Sequence, residues 1–213
     1  MERQFSEVEP AQAKKICRSA LPRLRLFVEH IVEQGDELGL IGPRELQKIW
    51  TRHVLNCALV GLKAGVGNLI DVGSGAGFPG LIIAASRPDL SCTLVEPMSR
   101  RASWLEAESA RLGLSNVVVL NERAEDLHGS ISADIVTARA VAALKKLLPM
   151  CAPLAALSGE LIFMKGKRVT EEMKLAESEI KKWNLINPRV EITGPEYQTE
   201  ETFLFRATVG VGK

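Results

Sequence analysis

The 213-residue sequence has almost no excess charge and few aromatic residues. Lys and Arg number 27 against 26 Asp and Glu, a formal net charge of +1, and Phe, Trp and Tyr make up 5% of the chain. Proteins that hold nucleic acid by bulk electrostatics are strongly basic, and single-strand binders stack bases on aromatic platforms. Composition alone therefore argues against both ways of gripping nucleic acid.

Spacings typical of metal sites and disulfides are also missing. The three histidines show no zinc-type spacing and the cysteines form no Cys-x-x-Cys pair, so we expect no metal and a reducing, cytoplasmic environment. No run approaches the roughly 20 apolar residues of a membrane span, and the charged start lacks the apolar stretch of a signal peptide. We expect no membrane partner. The cysteines are Cys17, Cys57, Cys92 and Cys151, and we expect the last to pack inside a helix.

The apolar fraction of 46% and the charged fraction of 25% are those of a globular protein, and the length suits one domain with an elaboration. Apolar residues recur every three or four positions over residues 9–63, which predicts helices, the second of them beginning at Pro43. We predict that residues 1–65 form an N-terminal helical region packed on a core domain over residues 66–213.

After Gly67 short apolar strands alternate with amphipathic helices. This order predicts an α/β fold with a Rossmann-like, mostly parallel sheet covered on both faces, its last strand antiparallel. We expect Pro79 in the first turn of a helix and Ser99 as the N-cap of the next. The predicted strands are 68–73, 92–96, 116–120, 133–138, 160–165, 189–193 and 202–209, and the predicted helices are 79–86, 99–112, 140–152 and 170–183.

The strongest motif is DVGSGAGFPG at residues 71–80, between the first predicted strand and its helix. Its glycines, Gly73, Gly75 and Gly77, allow a tight turn and close approach of the backbone to a ligand, which the helix N–H groups also face. Read from Gly75, the loop also spells Gly-x-Gly-x-x-Gly. Glu96 ends the second strand, where a carboxylate can accept hydrogen bonds from ribose hydroxyls. The motif predicts a cofactor that contains adenosine.

The loop alone does not separate NAD from S-adenosylmethionine. Asp71 favours S-adenosylmethionine, because a carboxylate two residues before the first glycine can order the loop or meet a cationic methionine group. The Phe78-Pro79 helix start favours it too, since it suits a pyrophosphate less well. Glu125 and Asp126 follow the third strand, where they can bracket an adenine.

Taken together, these motifs resemble the RsmG family, also called the glucose-inhibited division protein B family. The resemblance covers roughly residues 40–168, and Asn56-Cys57 departs from the Asp-Ser that many members carry. The matching segments are Arg52-His53, the glycine loop 71–80 with its Phe-Pro-Gly end, Leu94 to Pro97 with Arg100-Arg101, Arg123-Ala124-Glu125, Ala138 to Val141 and Lys165-Gly166.

The resemblance implies an S-adenosylmethionine-dependent methyltransferase, with its class I methyltransferase domain in residues 66–213, that modifies N7 of a guanine in 16S ribosomal RNA. The implied partner is that RNA or the small ribosomal subunit, and we expect a monomer. Matching the motifs residue by residue implies cofactor contacts at Gly73, Phe78, Ala124, Glu125 and Arg139.

Arg139 is the residue that we expect to position the reacting groups, since it follows the fourth strand beside the cofactor. It can hold the methionine carboxylate, a substrate phosphate or guanine O6. Guanine N7 carries a lone pair and no proton, so no general base is expected. His53 either meets the substrate or packs among apolar neighbours on its helix.

Basic residues follow several predicted strand ends, which lie at one edge of a parallel sheet. A near-neutral protein then gains a basic rim at its active site, with Glu171, Glu172, Glu177 and Glu179 on a peripheral helix away from it. The rim, Arg139 included, is expected to contact RNA through Arg100, Arg101, Arg123, Lys165, Lys167 and Arg168.

Three other functions fit parts of the sequence. A small-molecule methyltransferase would need a roofed pocket and no basic rim. An NAD-dependent oxidoreductase would use the same glycine loop. A non-catalytic RNA-binding or ribosome-binding module would not need the glycine loop, Glu96 and Arg139 together, so their presence argues against it.

Overall fold

The computed structural model describes residues 6–211, and within them the chain forms one seven-stranded sheet. The strands are β1 (Asn68–Val72), β2 (Ser91–Val95), β3 (Val117–Leu120), β4 (Ala133–Arg139), β5 (Ala155–Lys165), β6 (Leu185–Thr193) and β7 (Thr202–Val209). They lie in the order β3-β2-β1-β4-β5-β7-β6. The first five are mutually parallel and β7 runs antiparallel to both neighbours. The predicted α/β class, with an antiparallel last strand, is confirmed.

Helices cover both faces of this sheet, as short parallel strands without a polar face require. One apolar cluster joins the N-terminal helices and the helices after β1 and β2 to one sheet face, and a second joins the helices after β4 and β5 to the other face. The helices are α1 (Gln12–Cys17), α2 (Leu21–Gln34), α3 (Pro43–Leu46), α4 (Asn56–Lys63), α5 (Gly80–Ser86), α6 (Ser99–Arg111), α7 (Leu144–Cys151), α8 (Val169–Leu175) and α9 (Glu177–Lys182).

Two predicted helices are interrupted. The helix that begins at Pro43 stops after one turn, and the chain continues through a π-helical turn, Ile49–Leu55, before α4 begins. The helix predicted over residues 170–183 breaks at Ala176, which is fully buried. Apolar residues continue across both breaks, so the sequence pattern carries no signal for them.

Two predicted caps are also different in the structure. Ser99 is the first residue of α6 rather than its N-cap, because its hydroxyl donates instead to Asn121 Oδ1 at 2.8 Å. Pro79 follows a cis peptide bond and precedes α5 as its N-cap. Gly113, with φ of 64°, lies two residues after the end of α6.

The N-terminal helices share their apolar cluster with the sheet, while a domain boundary at residue 65 stays a prediction. All four cysteines are buried and free, in agreement with a packing role for Cys151. Within residues 6–211, no helix combines the length and apolar character needed to cross a membrane.

Candidate active site

The glycine loop turns from the end of β1 into α5 with a backbone that favours glycine. Gly73, Gly75 and Gly77 have φ values of 70°, 57° and 108°, which side chains rarely adopt. A Cβ would lie 2.7 Å from Val141 at Gly73 and 2.6 Å from Leu81 at Gly77. A Cβ at Gly75 would lie 3.8 Å from its nearest neighbour, the Gly73 carbonyl oxygen, so this residue leaves space where a ligand can approach the backbone.

Gly80, the last glycine of the Gly-x-Gly-x-x-Gly pattern, is required for packing. A Cβ there would overlap Leu94 and the Asp71 carboxylate, so its absence lets α5 pack directly against the sheet. The Gly80 N–H donates to Asp71 Oδ2 at 2.9 Å, and the Ser74 hydroxyl donates to the Asp71 carbonyl at 3.0 Å. These contacts fasten both ends of the loop to β1.

Asp71 is fully buried and does not line the cleft described below. Burial raises the pKa of its carboxyl to about 7, partly offset by its hydrogen bonds. Of the two roles predicted for Asp71, this placement favours ordering the loop over contact with a methionine group.

Glu96, which follows β2, connects the glycine loop to the segment after β2 through hydrogen bonds. Its Oε2 accepts the Gly75 N–H at 2.9 Å and its Oε1 accepts the Met98 N–H at 3.0 Å. A carboxylate oxygen has two lone pairs, so each oxygen keeps one acceptor position. Glu96 therefore orders the loop and can still accept hydrogen bonds from a ribose.

These residues open onto a cleft of about 450 Å³, which we call the cofactor cleft. It brings together residues that follow β1, β2 and β4 with Leu40 and His53 from the N-terminal region. Its lining is Leu40, His53, Gly73, Ser74, Gly75, Ala76, Phe78, Glu96, Pro97, Met98, Arg101, Arg139, Ala140 and Val141.

The chemistry of this lining fits the predicted cofactor. Glu96 offers acceptors for hydroxyl groups, and Gly75 allows close approach of the backbone. Arg101 Nε is buried without a hydrogen-bond partner, which leaves a cationic donor for a carboxylate. Arg101, predicted to contact RNA, thus lines the cofactor cleft.

The guanidinium of Arg139 is held on three sides. It lies over the Phe78 ring, 5.4 Å from the centroid, and its Nη1 is 3.5 Å from Cys57 Sγ. Its Nη2 is 2.9 Å from His53 Nδ1. Because a guanidinium only donates, Nδ1 must accept, which assigns the proton of a neutral His53 to Nε2. That nitrogen then donates to Glu45 Oε2 at 2.8 Å.

His53 is kept neutral in this arrangement. Burial, together with the charge of Arg139, lowers the pKa of His53 to about 4. The side chain is only 10% exposed and contacts Phe78 as well. Of the two roles predicted for His53, this geometry favours packing, with His53 holding Arg139 in position. The predicted contact of His53 with RNA stays a prediction.

Two predicted cofactor contacts lie outside the lining of the cofactor cleft. Ala124 is buried in a short 3-10 turn after β3. Glu125 is exposed and lies 3.9 Å from Arg123, which is 69% exposed. Both residues stand at the carboxyl edge of the sheet, and their role in binding stays a prediction.

The basic rim is smaller than predicted. Arg100, Arg123, Lys167 and Arg168 are exposed. The Lys165 side chain is only 9% exposed, and its Nζ contacts Ala142 O at 2.8 Å and Glu172 Oε2 at 2.7 Å. The prediction of Lys165 as a free rim cation is wrong, because α8 begins beside the end of β5. Glu172 was wrongly placed on the periphery for the same reason.

A second cleft of about 380 Å³ adjoins the cofactor cleft, and Arg139 and Ala140 line both. Ala140 has a φ of 56°, an uncommon backbone conformation for a residue with a side chain. Most residues of this lining were not predicted as site residues from the sequence. It comprises Lys48, Arg52, Asn56, Arg139, Ala140, Met164, Lys165, Gly166, Lys167, Glu172, Glu200, Glu201, Thr202 and Phe203.

No group of three or more His, Cys, Asp or Glu side chains in residues 6–211 is placed to hold a metal ion. The site is therefore described by one backbone cradle, one buried arginine network and two adjoining clefts.

The sequence matches known proteins over nearly its whole length. The family model GidB, described as rRNA small subunit methyltransferase G, matches residues 20–199. The protein named Ribosomal RNA small subunit methyltransferase G from Leifsonia xyli subsp. xyli is 46% identical over 203 residues, 95% of this chain and 97% of that protein. The protein of the same name from Clavibacter sepedonicus is 43% identical, over 95% of this chain and 96% of its own.

Solved structures share the fold at low sequence identity. Cofactor-bound Rv0187 from MTB superimposes with a TM-score of 0.58 and 14% identity, over 90% of this chain and 91% of that chain. A SAM-dependent O-methyltransferase from Thermotoga maritima gives a TM-score of 0.56 and 13% identity, over 74% of this chain and 66% of that chain. The sheet is therefore one that methyltransferases use.

Proposed function

The chain belongs to the GidB family of small-subunit ribosomal RNA methyltransferases, and from this premise we infer that it methylates N7 of a guanine in 16S ribosomal RNA with S-adenosylmethionine as methyl donor. The observation that carries the proposal is the position of Arg139. Its guanidinium stands where the cofactor cleft meets the second cleft, so it faces both reaction partners.

When bound, S-adenosylmethionine supplies a methyl group on a positively charged sulfonium. The lone pair of guanine N7 forms the new N–C bond as the C–S bond breaks, and the positive charge passes from sulfur to the methylated purine. N7 carries no proton, so no side chain has to remove one. The protein contributes alignment, which supplies about 7–11 kcal/mol in favourable cases.

The residues of the site divide this task. Gly75 and Glu96 would hold the adenosine part of the donor, and Arg101, whose Nε has no partner in the structure, would pair with its carboxylate. Arg139 is fixed by Phe78 and His53, so its outer N–H groups are oriented before substrate arrives. Because the Arg139 guanidinium is already fixed, it needs little reorganisation when charge moves between the reactants.

Recognition of the RNA is local in this proposal. Lys48, Arg52 and Lys167 line the second cleft and Arg168 lies nearby in sequence, while the whole chain has a net charge of only +1. Such a surface suits a structured RNA in the small subunit better than loose binding to any strand. We further propose a cytoplasmic monomer, with residues 1–65 as a helical region and 66–213 as the methyltransferase domain.

The test uses small ribosomal subunits from cells that lack the gene for this protein. The purified protein and labelled S-adenosylmethionine are added, and the digested RNA is analysed by mass spectrometry. We expect one guanine to gain a methyl group at N7 with the natural protein. Absence of label from the 16S RNA would refute the proposal, and saturable binding of NADH without binding of S-adenosylmethionine would indicate an oxidoreductase.

A further inference from the structure

Two residues that line the second cleft each carry a buried oxygen without a hydrogen-bond partner. Asn56 Oδ1 and Thr202 Oγ1 are inaccessible and make no hydrogen bond in the structure. Thr202 is 4% exposed as a whole. Folded proteins pair most buried polar atoms, so two unpaired ones in the lining of a single cleft call for an explanation.

These two oxygens come from distant parts of the chain. Asn56 begins α4, one residue before Cys57, whose sulfur contacts Arg139. Thr202 begins β7, which runs antiparallel to β5 and so starts at the carboxyl edge of that strand. The fold thus gathers acceptors from α4 and β7 beside the donor Arg139.

The lining of this cleft carries charges of both signs, with hydrogen-bond acceptors beside its basic residues. Glu172, Glu200 and Glu201 line it together with the two unpaired acceptors. Met164 and Phe203 add apolar surface. A flat group that carries several N–H donors can satisfy the unpaired oxygens and the carboxylates, whereas a phosphate, which only accepts, cannot.

We propose that the second cleft receives the target guanine, with Asn56 and Thr202 accepting hydrogen bonds from its N1–H and N2 amino group and Arg139 donating to O6. The proposal rests on the function proposed above and assigns its specificity. Such a base must leave its stack to enter the cleft.

The edges of guanine match this arrangement of donors and acceptors. N7 and O6 are adjacent, so a base that turns N7 toward the methyl donor in the cofactor cleft places O6 near Arg139 at the junction. Its N1–H and N2 amino donors then point away from the cofactor, toward acceptors. Adenine would present an amino group to the donor Arg139 and lacks the N2 amino group, so it is rejected.

The first experiment measures methyl transfer and cofactor affinity in matched variants. On limiting small subunits from cells lacking the gene, Asn56→Ala and Thr202→Val each lower the initial rate about ten- to hundredfold. Binding of S-adenosylmethionine, measured by calorimetry, changes less than twofold. Asn56→Asp, which keeps an Oδ1 acceptor, stays within about threefold of the natural rate.

Ser86→Ala is the control, since Ser86 Oγ is also buried without a partner but lines neither cleft. It leaves the rate unchanged. Natural rates in both Asn56→Ala and Thr202→Val would overturn the guanine pocket, and so would a large loss of cofactor affinity in either variant.

The second experiment changes the base instead of the protein, and it decides the matter even where a variant fails to fold. Once the methylated nucleotide is mapped, small subunits are assembled with inosine at that position, which removes only the N2 amino group. The natural protein methylates inosine about tenfold more slowly than guanosine. One of the two variants, Asn56→Ala or Thr202→Val, has lost the acceptor for the N2 amino group and therefore methylates both nucleosides at the same rate. Equal rates with the natural protein would overturn the pocket. Failure to methylate any subunit RNA would overturn the proposed function itself.

Discussion

The two clefts that meet at Arg139 are built in different ways. The cofactor cleft is centred on the backbone of the glycine loop, in which a side chain at Gly73 or Gly77 would strike a neighbour, and side chains such as Glu96, Arg101 and Arg139 complete it. The second cleft is walled by side chains from four separate segments of the chain. In our proposal the first cleft admits the cofactor through its glycine backbone, and the second recognises the substrate base through its side chains. Substitutions should therefore separate binding of the cofactor from recognition of the base.

The largest effect is expected from Gly75→Val, which affects the cofactor cleft alone. Valine is strained at φ 57°, and its side chain fills the open space above the loop. Affinity for S-adenosylmethionine should fall at least a hundredfold by calorimetry. Gly113→Val is the matched control, since Gly113 has φ 64°, has no neighbour within 4 Å of an added Cβ and lies outside both clefts. Equal affinity in the two variants would contradict the assignment of the loop.

Next in size is Arg139→Ala, which removes the group shared by both clefts. Methylation of small subunits should slow at least tenfold, because the fixed donor at the junction is lost. Arg189→Ala is the control, since Arg189 pairs with Glu160 on the sheet away from the clefts. A turnover near that of the natural protein would show that Arg139 does not position the reactants.

A smaller effect tests whether neutral His53 holds Arg139 in place between the two clefts. His53 has a folded pKa of about 4 against an ordinary value near 6.5, so the unfolded chain binds more protons between these values. The stability that neutral His53 contributes is complete above pH 6.5 and is lost as the pH falls to 4. Relative to His53→Gln, the natural protein should lose up to about 3 kcal/mol of unfolding free energy over this window.

Urea unfolding of both proteins at pH 4, 5, 6 and 7 measures this difference. The titration of Asp71 is common to both proteins and cancels in the comparison. A constant difference across the four pH values would contradict the neutral, buried state of His53.

The smallest effect concerns the rim of the second cleft. Binding to small subunits should weaken as salt rises, and Lys167→Ala should reduce the slope of log affinity against log salt by about one. Lys181→Ala serves as the control, because Lys181 pairs with Glu177 on the exposed surface of α9. An unchanged slope in Lys167→Ala would show that Lys167 does not contact the RNA.

The contrast between the clefts also explains which features were predictable from the sequence. The glycine turn after β1 and the alternation of strands with helices depend on residues close together in the chain, and local patterns predicted both. Lys165 was misread because its partner Glu172 comes from the following helix. Asn56 and Thr202 meet only through the packing of α4 and β7 on the sheet, and no local pattern connects residues so far apart.

The most direct test of the two-cleft account measures cofactor affinity and methylation rate side by side in Gly75→Val and Asn56→Ala. The account predicts that Gly75→Val loses cofactor binding, whereas Asn56→Ala binds S-adenosylmethionine within twofold of the natural protein and methylates the small subunit at least tenfold more slowly. Loss of cofactor affinity in Asn56→Ala, or an undiminished rate in that variant, would contradict the account.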